Sequence, residues 1–185
     1  SPSPRRAAGR PPENEQGIPG SLLGQMTAQV DFLNAQIKDL DALIDAQGTS
    51  HPYVPLLETV PGFGRYSALL IACEIDRIER FPSAPQLASF AGLVPTVRNS
   101  GTLVRVGHLS KDGNRWMKWI LVEAAQHAWH RDNPYHALYE RIRRRKGSKV
   151  ARIAVAREIL VAVHAMLTRG EAFRAPALRK EAIPA

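Results

Sequence analysis

The sequence predicts a mainly α-helical protein: a helical domain with a helix-hairpin-helix-like turn and a small β-hairpin, preceded by a long coiled-coil helix. Three observations carry this. Apolar residues recur at alternating steps of three and four from Leu23 to Ile44. Further runs of helical period are punctuated by glycine and proline at Pro61-Gly62, Gly92, Gly147 and Gly170. Between two such runs, two short arms, Thr96 to Arg98 and Thr102 to Val106, alternate about an Asn99-Ser100-Gly101 tip and read as a hairpin.

Residues 1–20 hold five prolines, three glycines and three arginines with no periodic apolar residue, a composition that cannot offset its chain entropy by burial. They are predicted to form a disordered Pro-rich tail. The first residue is not methionine, as expected of a fragment, a processed chain or a remnant reading frame. Over 21–48 the residues Leu23, Met26, Val30, Leu33, Ile37, Leu40 and Ile44 form a heptad seam on a helix of roughly 40 Å ending at Gly48. Such a strip fits a second copy of the chain, with homo-oligomerisation through 21–47, or a fold-back onto its own domain.

Pro52 and Pro55 break the pattern. Then Leu57, Val60, Pro61-Gly62-Phe63-Gly64, Ala68 and Ile71 follow the helix-hairpin-helix spacing. Glycines at 62 and 64 permit positive φ and close approach, so that backbone N–H groups at the next helix start can donate to a phosphate, with Arg65 adding charge. A plain helix–helix turn has the same signature. Cys73, the single cysteine, lies in an apolar run, reads as core, and excludes a disulfide framework or a cysteine-based zinc site.

Ser83 with Gln86 three residues on reads as a capping box for a helix ending at Gly92. After the hairpin, Ser110 or Asp112 is the expected cap of a helix running to about Arg131, with Met117, Ile120, Leu121, Ala124 and Ala128 buried. Lys111, Arg115 and Lys118 crowd its entrance, where cations oppose the helix dipole and suit an anionic partner. Asn133-Pro134 starts another helix, Gly147 stops it, Ser148 caps the last one and Gly170 closes that.

The formal net charge of +8 and the sequence pI near 10.1 favour a polyanion, with nucleic acid the first candidate. Residues 141–157 hold eight lysines and arginines, among them Arg143, Arg144, Arg145, Lys146 and Lys149; they read either as a nucleic-acid surface or as a solvated face. No apolar run reaches the roughly 18 residues of a membrane span, and no secretory signal opens the chain, so no membrane partner is expected. His127 and His130 share a helix face without a third ligand, so no metal site is assigned. Trp116, Trp119 and Trp129 suit core or interface packing, or stacking on bases. Ser100, with Arg98, Arg105, His108 and Lys111 near it in sequence, is either a turn serine or a nucleophile whose attack on phosphate the cations assist.

Over residues 53–173 the chain resembles the C-terminal part of insertion-sequence-110 family transposases, the bridge-RNA-guided serine recombinases. The motifs, in order, are Thr-Val-Pro-Gly-Phe-Gly (59–64), Ala-Ser-Phe-Ala-Gly-Leu-Val-Pro (88–95), Asn-Ser-Gly (99–101), His-Leu-Ser-Lys-Asp-Gly-Asn (108–114) and Glu-Ala-Ala (123–125), with a basic helix pair ending in Arg169-Gly170. The resemblance implies a serine and DNA-binding domain over 53–173, flanked by a disordered tail over 174–185. It implies Ser100 as the catalytic nucleophile forming a phosphoserine link to DNA. The cationic and turn residues then hold DNA: Gly62, Gly64, Arg65, Arg98, Arg105, Lys111, Asn114, Arg115, Lys118, Arg143, Arg144, Arg145, Lys146 and Lys149. It further implies DNA and guide RNA as partners, and a bacterial cytoplasmic, nucleoid-associated setting. No cofactor is expected in this chain; divalent magnesium belongs to the family's acidic RNase-H-like N-terminal domain. That domain is absent from this sequence, so the chain is expected to be incompetent for strand transfer alone. The family has arginine where Lys118 stands; lysine keeps the charge but loses bidentate phosphate geometry. The alternative is a non-catalytic DNA-binding or dimerisation module, or an inactive transposase remnant.

Overall fold

The computed structural model describes residues 20–100, 103–109 and 113–175, with side chains described over 21–94 and 113–175. The fold is mainly helical. The chain divides into two units, Ser1–Ala42 and Leu43–Ala185, and helix α1, Gly20–Ser50, runs across the boundary. It continues past Gly48, the expected stop. Within the first unit every described side chain is exposed, and the seam residues Leu23, Met26, Val30, Leu33, Ile37 and Leu40 are between 47% and 57% exposed. Residues 1–19, the bulk of the expected Pro-rich tail, and residues 176–185 lie outside the described residues.

The second unit is built around α7, Ser148–Arg169. Ala151, Val155, Ala156, Ile159, Leu160, Val163, Met166 and Leu167 are buried along it, recurring at three and four residues. Packed against α7 are α2 (Val54–Leu57), α4 (Ala84–Phe90), α5 (Arg115–Gln126) and α6 (His136–Lys146). Helix α3, Arg65–Ile75, packs on α2 and α5 through Ala68, Ile71, Ala72 and Ile75. Cys73 lies off that stripe and is exposed, correcting its assignment to the core. Two strands, β1 (Pro95–Ser100) and β2 (Leu103–Leu109), pair antiparallel between α4 and α5, with an irregularity in register between Pro95 and Val97. Ser100 closes β1 opposite Leu103. Residues 171–175 continue beyond α7, where the Phe173 N–H donates to Thr59 Oγ1 at 2.8 Å and the ring packs against Tyr135.

The helix starts depart from the expected caps. Ser83 occupies the N-cap position of α4, but its hydroxyl caps nothing, so no capping box forms. Asn114 is the cap of α5, in place of Ser110 or Asp112, and α5 ends at Gln126 in a 3₁₀ turn, His127–Trp129, instead of reaching Arg131. Asn133 folds its side chain onto the Tyr135 N–H at 2.9 Å, an Asx turn that delays α6 to His136. Gly147, at φ +83°, both ends α6 and precedes α7, leaving Ser148 as the first helical residue.

Two backbone contacts through glycine hold these helices in place. Gly62 has φ +90°, and a Cβ there would lie 3.0 Å from the Ala124 carbonyl oxygen of α5. A Cβ on Gly113 would lie 2.2 Å from the Gly92 Cα, and Gly92 itself has φ +66°. Gly64, by contrast, is extended at φ −107°, and a Cβ there would meet nothing within 4 Å. Of the two glycines in the Pro-Gly-Phe-Gly turn, only Gly62 uses a positive φ. Gly113→Ala and Gly62→Ala are therefore each expected to cost about 1–3 kcal/mol or more, through overpacking and, at Gly62, backbone strain. Gly64→Ala should stay within about 0.5 kcal/mol of the parent. Urea unfolding followed by circular dichroism checks this, and equal losses at Gly62 and Gly64 would contradict it.

Candidate nucleic-acid interface

Chemistry-bearing residues gather at three places in the second unit. The first is the base of the two strands, where α4 ends and α5 begins. The Asn114 N–H donates to the Phe90 carbonyl at 2.7 Å. Its side-chain Oδ1 accepts from the Met117 N–H at 2.9 Å, and its Nδ2 donates to Glu74 on α3. Asn114 is thus fully engaged inside the fold. The end of Lys118 lies over the glycine crossing, since a Cβ on Gly92 would meet its Cε and Nζ at 2.9 Å. Arg115 is exposed beside it. Gln86, Ser89, Phe90, Gly113 and Asn114 line a cleft of about 510 Å³ at this base. The side chains of Arg98, Ser100, Arg105, His108 and Lys111 lie outside the described residues, so the structure carries the strand backbone to this place and no more.

The second place is the turn into α3. Gly64 is the N-cap, and no side chain caps the helix, so the first N–H groups of α3 have no intrahelical partner. Arg65 does not extend from this end. Its Nε pairs with Glu58 at 3.1 Å and with Asp45 at 3.6 Å, and its side chain covers Gly48, where a Cβ would meet Cδ at 2.6 Å. The sequence placed Arg65 beside a phosphate; the structure places it between two carboxylates and over the end of α1.

The third place is the end of α6. Arg143, Arg144, Arg145 and Lys146 occupy its last turn, where cations complement the helix dipole. All four, with Lys149 at the start of α7, are exposed. Part of this charge is already used. Arg143 grips Glu140 in a fork, Nε to Oε1 at 2.9 Å and Nη2 to Oε2 at 3.0 Å, and Arg144 approaches the same carboxylate at 3.8 Å. The Arg143 hydrogen bond holds the Glu140 carboxyl below its usual range, and the Arg144 charge adds to this.

Sequence reasoning missed the exposure of the aromatics. Trp116, Trp119 and Trp129 are 62%, 48% and 58% exposed, so a core role does not apply. Trp116 and Trp119 meet edge to face at 6.3 Å, and the Trp129 and His130 rings stack at 3.7 Å. The signal was available: the buried stripe of α5 runs through Met117, Ile120, Leu121, Ala124 and Ala125, and positions 116 and 119 fall off it. Among the described residues no three His, Cys, Asp or Glu side chains form a group able to hold a metal ion, and no helix is long and apolar enough to cross a membrane.

Comparison with known proteins adds a family to this geometry. Residues 54–140 match the Transposase IS116/IS110/IS902 family. An insertion element IS110 uncharacterized 43.6 kDa protein of Streptomyces coelicolor is 33% identical over 151 residues, covering 81% of this chain and 36% of that protein. A probable family 20 transposase of Pseudomonas aeruginosa is 29% identical over 107 residues, 58% of this chain and 32% of the other. The transposase for insertion sequence element IS1111A of Coxiella burnetii is 26% identical over 142 residues, 75% and 39% of the two chains. The chain spans about a third of the length of these relatives.

Because Asn114 joins α3, α4 and α5 through three separate bonds, Asn114→Ala removes a helix cap and leaves Glu74 without that donor. It is expected to cost about 1–2 kcal/mol from the cap alone, read as a lowered thermal midpoint. A midpoint equal to the parent's would show that the clamp contributes nothing.

Proposed function

We propose, from the match of residues 54–140 to the Transposase IS116/IS110/IS902 family, that this chain presents the serine nucleophile and a DNA-binding surface for transposition. The observation that carries the reading is where β1 ends. Ser100 stands at the end of a strand that springs from the glycine crossing at Gly92 and Gly113, with Lys118 over that crossing and Arg115 beside it. In the proposed step Ser100 Oγ attacks a DNA phosphorus. The new O–P bond forms as the bond from phosphorus to a deoxyribose oxygen breaks, and the hydroxyl proton leaves Oγ while the departing oxygen gains one. Cations around the phosphoryl group stabilise the charge that develops on it. One phosphodiester is exchanged for another, so a later attack by a DNA hydroxyl reverses the link and rejoins strands.

The exposed cations at the end of α6 and the start of α7 support a phosphate-tracking surface, and the helix-hairpin-helix-like turn into α3 offers the backbone N–H groups behind Gly64. Guide RNA and magnesium enter this reading through the family resemblance. By that resemblance the metal would be held by the family's acidic RNase-H-like domain. The exposed seam of α1 supports a homo-oligomer through residues 21–47.

Two outcomes test this. Ser100→Ala should leave salt-sensitive DNA binding by the chain unchanged, while abolishing strand transfer and the covalent protein–DNA adduct when the substitution is made in a complete transposase carrying this domain. Wild-type recombination by that variant would remove Ser100 from the chemistry and leave the non-catalytic DNA-binding module. For the seam, Val30→Glu with Ile37→Glu should reduce the mass measured by light scattering to that of the 20.4 kDa chain. An unchanged mass would rule out assembly through α1.

A further inference from the structure

Next to the basic end of α6, and sharing Arg144 with it, the second unit contains a further cleft. It lies where the 3₁₀ turn His127–Trp129 meets α6. Trp129, His130, Arg131, His136, Glu140 and Arg144 line about 550 Å³, a volume in the range of small-ligand sites.

Its wall combines three kinds of group. Trp129 is backed on one face by His130, their ring centroids 3.7 Å apart and their planes 28° from parallel, and His130 is in turn near-parallel to His127 at 6.2 Å. Trp129 nonetheless remains 58% exposed. An exposed indole offers an aromatic surface on which a base can stack. Arg131 and Arg144 supply two guanidinium groups. The one lining carboxylate, Glu140, is already engaged by the Arg143 fork and by Arg144, so the cleft keeps a cationic excess. His136 contributes an Nδ1 that is shielded from solvent and has no hydrogen-bond partner among the described residues. The hydroxyl of the neighbouring Tyr135 is likewise buried and without a partner; burial, with the Glu158 charge, pushes its pKa up. An exposed aromatic surface beside two guanidinium groups is the combination that recognises a planar ring with an attached phosphate.

We propose that this cleft takes one unstacked nucleotide of a single-stranded nucleic acid, its base laid on the open face of Trp129 and its phosphate met by Arg131 and Arg144. The site rests on the nucleic-acid reading above but differs from it in kind. The basic helix ends contact backbone and are indifferent to whether bases are present, whereas this cleft requires a base free of its duplex. DNA and RNA share the chemistry it recognises.

The test uses the full chain and fluorescein-labelled single strands of about 12 nucleotides, one with bases and one abasic throughout, each made as DNA and as RNA. Binding is read by anisotropy at several salt concentrations. The base-bearing strand is expected to bind about tenfold more tightly than the abasic one. Trp129→Ala should erase that ratio by weakening only the base-bearing arm, Trp129→Phe should keep most of it, and circular dichroism should show both variants folded. Whichever of DNA or RNA shows the larger ratio identifies the source of the nucleotide. Equal binding of intact and abasic strands, or a full preference retained by Trp129→Ala, would overturn the cleft while leaving backbone binding in place. Absence of salt-sensitive binding to either strand would overturn the nucleic-acid reading and the cleft with it.

Discussion

The second unit depends on two main chains crossing at Gly92 and Gly113 more closely than any side chain permits. An added Cβ at Gly113 would come within 2.2 Å of the Gly92 Cα and 2.4 Å of its nitrogen, so the contact exists only because both residues lack one. Everything between them is an excursion that leaves and returns at a single point. Asn114 secures the return through the Phe90 carbonyl, the first turn of α5 and Glu74 of α3. The direction of α5, and with it the burial of Met117, Leu121 and Ala125, follows from that clamp. A flexible connection at this point would leave the end of β1 unanchored. A glycine crossing with a three-way cap gives the strands a fixed root.

A second consequence concerns charge. The chain is strongly basic, but the fold does not leave all of that charge equally available. Arg65 lies between Glu58 and Asp45, and Glu140 takes up Arg143 and part of Arg144. These are exposed or half-exposed pairs, each worth little in stability, and they compete with any external anion for the same guanidiniums. Lys146, Arg145 and Lys149, at the junction of α6 and α7, are exposed on elements rigidly packed through α7. The junction of α6 and α7 therefore keeps more exposed cationic charge than the turn into α3, where Arg65 is paired.

The helices were legible because burial imposes its period on sequence. The buried face of α5 and the stops at Gly92, Gly147 and Gly170 follow from spacing and from glycine's access to positive φ. Caps were less legible, because several residues near a helix start have competent side chains and tertiary neighbours choose among them. Asn114 caps α5 and also reaches Glu74 and Phe90. Exposure of Cys73 and the three tryptophans was misread by residue type; for Cys73 on α3 and for Trp116 and Trp119 on α5 the helix face was the better guide. The end of α6 shows the opposite limit. A run of arginines looks alike in sequence whether it meets phosphate or complements a helix dipole, and here it sits where the dipole alone would favour it.

The two glycines of the Pro-Gly-Phe-Gly turn show how a motif can contain two separate constraints. Gly62 is required from within: its positive φ and the 3.0 Å approach to Ala124 join the turn to α5. Gly64 has ordinary extended geometry and open space where its side chain would be. No internal contact explains a glycine there, and the absent Cβ lies next to the uncapped N–H groups at the start of α3. Only the first of the two glycines is therefore required to be small by the packing of the domain. The inward half of the turn, at Gly62, is the half that builds the domain, because its approach to Ala124 sets the turn against α5.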